Sequence, residues 1–158
     1  MLSKISYRDQ IRTLILEKMK TGQYTAGESL SLVAIARELD VSVTPIREAL
    51  TQLEYSGIVE SIPNRGFVLP KLNKMTAYNL YELVSSLEAL AIEHSMYTET
   101  VIANLKLQQS KIESTFSPVK RINEDFEFHN ILVSQYQNPI AHRILLDTKT
   151  RIFFYEIE

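Results

Sequence analysis

Two groups of side chains in this sequence have types and spacings that can do chemistry. The first is Ser42, Val43, Thr44, Pro45 and Arg47, with Arg65 and Gly66 further along. A guanidinium is planar and offers paired N–H donors, which match phosphate oxygens or two acceptors on one base edge. Hydroxyls such as those of Ser42 and Thr44 can join free backbone N–H groups at a helix start in holding an anion. The second group is Asp125 and His129, four residues apart and so on one face of any helix they share. A carboxylate and an imidazole pointing inward can ligate a divalent cation such as zinc. At this spacing alone a structural hydrogen bond is the commoner outcome. Taken singly, Arg47 reads as a solvated helix charge and Arg65 as an ordinary hairpin-turn residue.

The elements that must position these residues follow from periodicity. In 7–20, Ile11, Leu14, Ile15 and Met19 predict a helix with one apolar face. Gly22, Thr25, Ala26 and Gly27 mark a loop. Ser31 can cap a second helix with Leu32, Ile35, Ala36 and Leu39 inward. A tight turn at Asp40 and Val41 leads to a third helix, capped by Ser42. Pro45 falls in its first turn, and Ile46, Ala49, Leu50 and Leu53 form its inner face. Gly57 suits the position just past its end. Two β-type runs, 58–62 and 67–69, flank a turn of Pro63, Asn64, Arg65 and Gly66 and read as a hairpin. The order is helix, helix, tight turn, helix, hairpin.

Residues 71–75 read as a linker between a first domain, 1–70, and a second, 76–158. Beyond the linker everything reads helical. Thr76 can cap a long helix with Leu80, Leu83, Leu87, Leu90, Ala91 and His94 on one side. A second helix runs over about 99–115, and Ser117 with Pro118 and Asn138 with Pro139 start two more. The expected fold is therefore mainly α: a winged helix-turn-helix with a small hairpin, then an antiparallel helical bundle.

Bulk properties narrow the function classes. The chain has 158 residues with 17 basic and 19 acidic side chains, a net charge of −2. Residues 1–70 hold about as many Lys and Arg as Asp and Glu, so any nucleic-acid role must rest on a few placed charges. Without cysteine there is no disulfide framework, thiol catalysis or Cys-type zinc site. Apolar runs are too short for a membrane span, and no signal segment opens the chain. A soluble cytoplasmic protein is expected. Neither a nucleophile motif nor a phosphate-binding glycine loop accompanies Asp125 and His129, so an enzyme is not expected.

Residues 22–69 resemble the GntR family of bacterial transcription regulators. The match is carried by Gly22, Tyr24, Gly27, Glu28 and Leu30, then Ala36, Leu39, Val41 and Ser42. It continues through Thr44, Pro45, Ile46, Arg47, Glu48, Ala49 and Leu50, then Leu53, Glu54, Gly57, Ile58, Val59, Arg65 and Gly66. The second part resembles the all-helical effector domain of the FadR-like branch, through Leu80 to Leu83, Leu87 and Glu88, 125–129, and Asn138 with Pro139.

The resemblance implies a dimeric, sequence-specific DNA-binding regulator, a metabolite-responsive repressor on a pseudo-palindromic operator. It places Arg47, Thr44, Ser42, Val43 and Pro45 at the major groove, and Arg65 and Gly66 at a wing tip beside the sugar-phosphate rail. It makes Asp125 and His129 the first two ligands of one divalent metal ion, next to a small organic-acid effector whose own binding residues it does not identify. Two departures stand out. Many relatives carry a basic residue at Val43 and an arginine at Val84. The two further histidines of such a metal site come from helices beyond Glu158, so the metal set and the bundle are expected to be incomplete here. The competing readings are a winged helix used for protein interaction and an effector-insensitive DNA binder.

Overall fold

The computed structural model describes residues 7–156. They belong to two compact units, Met1–Lys71 and Leu72–Glu158.

In the first unit, α1 (Tyr7–Lys20) buries Ile11, Ile15 and Met19. Leu14, expected on the same face, is 48% exposed. At about 100° per residue it lies roughly 100° from the centre of the Ile11, Ile15, Met19 stripe, outside the contact arc. The seven-residue α2 (Leu32–Glu38) begins at Ser31, whose hydroxyl accepts from the Ala34 N–H at 3.2 Å. Asp40 then turns the chain with φ of 53°, a left-handed conformation that Asp tolerates, and the Val41 N–H donates to the Ala36 carbonyl at 2.9 Å. These bonds set the tight turn before α3 (Val43–Tyr55).

Helix α3 is the spine of this unit. Ile46, Ala49, Leu50 and Leu53, the expected inner face, are all fully buried. Its end is a Schellman cap. Gly57, with φ of 69°, donates to Glu54, and Ile58 donates to Leu53 at 2.9 Å. The hairpin follows as β1 (Glu60–Ile62) and β2 (Gly66–Val68), antiparallel, with Ile62 opposite Gly66. Its ladder is shorter than the runs read from sequence, because Ile58 and Val59 are spent in the core and not in pairing. Asn64 makes the turn with φ of 65°. The 27–30 segment, read as loop, pairs with the wing: Leu30 donates to Phe67 and Gly27 to Leu69, each at 2.7 Å.

The second unit is helical: α4 (Lys74–Glu93), α5 (Glu99–Ser114), α6 (Pro118–Val133) and α7 (Pro139–Glu156). Caps at Thr98, Ser117 and Asn138 start three of them. The cap of α4 is Asn73, whose side chain accepts from the Thr76 N–H at 2.8 Å; Thr76, expected as the cap, lies one turn inside. Lys74 and Met75 continue the helix without adding to its apolar stripe, so periodicity alone started it late. The linker shrinks accordingly. The buried face of α4 is Ala77, Leu80, Val84, Glu88 and Ala91. Leu83 and Leu90, expected inside, are exposed. A mixed core joins Leu80, Val84 and Ala91 to Val133, Leu145 and Ile152. Helix α5 rests on α6, and α4 on α7. The Gln108 amide pins α5 to α6 through the Glu124 carbonyl and carboxylate at 2.9 and 2.7 Å.

Candidate nucleic-acid interface and polar pocket

The N-terminus of α3 carries the first candidate site. Ser42 occupies the N-cap position, yet its side chain makes no cap hydrogen bond. The cause is local. A cap oxygen bonds the second or third helical N–H, and the third residue here is Pro45, which has none. Ser31 has no such obstacle and bonds Ala34. The Ser42 hydroxyl therefore stays available, next to the free N–H groups of Val43 and Thr44. Thr44 and Arg47 are exposed, while Val43 and Pro45 are half-buried. Arg47 has no hydrogen bond or ion pair among the described residues. The arrangement is a helix end with unused donors, one cation and an apolar spot at Val43.

The wing is more constrained than sequence suggests. Arg65 is exposed, but its Nη2 donates to the Gly27 carbonyl at 2.9 Å. One edge of the guanidinium is thus tied to the body of the unit, and the rest faces outward. Gly66 has φ of 75°, and nothing lies within 4 Å of where its Cβ would stand. Glycine is needed there for backbone conformation, and the space above it is open.

The helical unit holds a second site. Asp125 and His129 share a face of α6, as expected, with Nε2 of His129 3.8 Å from the Asp125 carboxylate. The other ring nitrogen, Nδ1, lies 2.9 Å from both oxygens of Glu88 on α4. Lys149 on α7 reaches the same carboxylate at 3.1 Å, and its ammonium stands 5.1 Å over the Phe126 ring. These groups line a cavity of about 170 Å³ that also includes Val84 and Tyr81. Burial by itself would raise the pKa of Glu88. The His129 hydrogen bond and the Lys149 charge together outweigh it and hold the carboxyl below its ordinary value. For Lys149 burial wins over the attraction of Glu88 and pulls its pKa down. Tyr81, buried in part and donating to Glu156, has its pKa raised.

Glu88, named from sequence only among the residues that carry the family resemblance, and Lys149 were not among the expected site residues. The signal was present: each interrupts an apolar stripe, Glu88 between Val84 and Ala91, Lys149 between Leu145 and Ile152. His142 is engaged with the Tyr136 carbonyl, and His94 with the Leu90 carbonyl of its own helix at 3.0 Å. Among the described residues no group of three His, Asp or Glu is placed to hold a metal ion. Asp125 and His129 supply two donors, and a buried ammonium lies against the neighbouring carboxylate. As they stand, these residues do not fit a divalent cation.

Two helices joined by a tight turn, a third helix and a paired wing define a winged helix-turn-helix domain, here followed by an all-helical unit. Residues 7–69 match the family model described as bacterial regulatory proteins, gntR family. The Nta operon transcriptional regulator of Aminobacter aminovorans is 32% identical over 136 residues, covering 83% of this chain and 64% of that protein. The uncharacterized HTH-type transcriptional regulator YdhC of Bacillus subtilis is 26% identical, over 97% of this chain and 69% of its own length. The solved structure of E. coli McbR/YncC superposes with a TM-score of 0.77 at 23% identity, over 93% of this chain and 72% of that one. The chain thus spans about two thirds of the length of these proteins. Its N-terminal domain is thus a GntR-family helix-turn-helix domain, and these relatives are named transcriptional regulators. The likeness to McbR/YncC is one of fold, and it extends the agreement to the helical unit. No helix among the described residues is long and apolar enough to cross a membrane.

Proposed function

We propose that the chain binds a pseudo-palindromic operator as a homodimer through α3 and acts as a metabolite-responsive transcriptional repressor. The observation that carries this is the start of α3. Arg47 is exposed and uncommitted there, beside Thr44, an unused Ser42 hydroxyl and two free backbone N–H groups. In a winged helix-turn-helix this end enters the major groove. Arg47 reads a base edge, Ser42 with the helix start holds a phosphate, and Val43 contacts a thymine methyl. Arg65, fixed on one side by Gly27, steadies the wing against the minor-groove rail. A single domain of this size is too unspecific for a genome, and two-fold pairing doubles the site. The helical unit supplies the pocket in which a small ligand biases DNA binding.

Selection of bound sequences from random DNA tests this. A two-fold repeated half-site is expected, with affinity falling steeply as salt rises. Recovery of no enriched sequence, with salt-independent capture of proteins instead, would support the winged helix as a protein-interaction module.

A further inference from the structure

The geometry points to a small zwitterion, an α-amino acid with an apolar side chain, as the occupant of the helical unit's pocket. This rests on the reading of that unit as the sensing part of a regulator. The pocket is polar at two ends of unlike character. At the inner end Lys149 has a side chain only 8% exposed, and its Nζ makes an ion pair with Glu88 but no well-formed hydrogen bond. An ammonium has three donors, and buried donors left without acceptors are costly. The inner end therefore asks for an acceptor. At the mouth stand Asp125, 59% exposed with only a long approach to His129, and Glu156, which accepts from Tyr81. Arg121 lines the adjoining hollow with both carboxylates, leaving two acids against one guanidinium. The mouth asks for a cation.

Neither half-ligand satisfies both ends. A simple carboxylate would enter a lining that already holds Glu88, Asp125 and Glu156, with the Lys149 charge matched by Glu88 and with apolar Val84 in the wall. A simple amine would face Lys149 and leave its donors empty. A zwitterion places its carboxylate toward Lys149 and its ammonium toward Asp125 and Glu156. Ile122, Phe126, Ile152 and Phe153 then form an apolar wall for its side chain. The cavity, about 170 Å³, suits a molecule of that size and lies below the range typical of drug-sized ligands.

The test is calorimetric titration of the full chain with alanine, valine, leucine and methionine, each beside its deaminated acid and its decarboxylated amine, and with zinc alone. At least one amino acid should bind about ten-fold or more tighter than both its analogues, the worth of one charge-assisted hydrogen bond. Lys149→Met and Asp125→Asn should each weaken it by about ten-fold or more. Asp125 is exposed, so Asp125→Asn carries the test if Lys149→Met fails to fold by circular dichroism. Three results overturn the inference. One is an acid binding as tightly as its amino acid, with Asp125→Asn silent. Another is stoichiometric zinc binding abolished by His129→Ala. The third is no binding by any of the four amino acids. Operator binding measured on the same samples separates the two levels: DNA bound without amino-acid binding removes this inference alone, whereas loss of DNA binding removes the regulator reading beneath it.

Discussion

The start of α3 and the pocket between α4, α6 and α7 use polar groups in opposite ways. At α3 the donors are uncommitted: the Ser42 hydroxyl has no cap bond, and Arg47 has no partner among the described residues. In the pocket nearly every polar group already holds another, Glu88 gripping both His129 and Lys149. An exposed, unsatisfied helix end costs little in water and can take up a macromolecular anion. A half-buried cluster must satisfy itself to fold, so its ligand completes a network that mostly exists. The contrast teaches that substitutions in the two places should fail differently, one in binding and the other in stability.

The largest effect is expected where that rule is broken in the pocket. Lys149→Met leaves Glu88 and its buried surroundings without a counter-charge. For buried pairs such losses reach about 3–5 kcal/mol, and with both side chains about a tenth exposed the expectation is the lower end, about 3 kcal/mol. Chemical denaturation followed by circular dichroism reads it, with no change expected in which DNA sequence is selected. Arg47→Ala should show the reverse. Operator affinity should fall by about 1–3 kcal/mol with specificity relaxed at one base pair, and the thermal midpoint should not move.

The acid response sharpens the contrast further. Glu88 titrates below its ordinary value in the folded chain, so its contribution to stability is fully present above the unfolded carboxyl pKa, about 4.3. It is lost as pH falls through the lower native value. An acid unfolding profile should therefore lose stability in that window, and Glu88→Gln should flatten it. The smallest effect compares two caps. Ser31→Ala removes a real side-chain bond and should cost about 1 kcal/mol. Ser42→Ala has none to remove, so stability should hold while operator affinity drops; equal destabilisation by the two would refute the account of Pro45.

These differences also explain what could be read from the residues alone. The DNA-reading unit was legible almost throughout, because Ile46, Ala49, Leu50 and Leu53 keep strict helical spacing and Gly57 and Asp40 mark their turns by backbone conformation. Leu14 misled because one apolar residue can sit at the edge of a stripe. In the helical unit leucine positions misled more. Leu83 and Leu90 face outward, and the true stripe runs through Val84 and Glu88. Asp125 and His129 were visible as a pair on one helix. Glu88 and Lys149, from two other helices, join them only through tertiary packing, which no local pattern encodes. Similarly, the tie from Arg65 to Gly27 spans 38 positions.

The most direct test of the central claim is titration of the full chain on its selected operator, wild type beside Arg47→Ala, at matched salt. Tight, salt-sensitive binding to a two-fold repeat is expected. Arg47→Ala should lose about 1–3 kcal/mol of operator affinity, roughly five- to 150-fold, with the fold unchanged. Equal affinity of the two proteins for that DNA would contradict the claim.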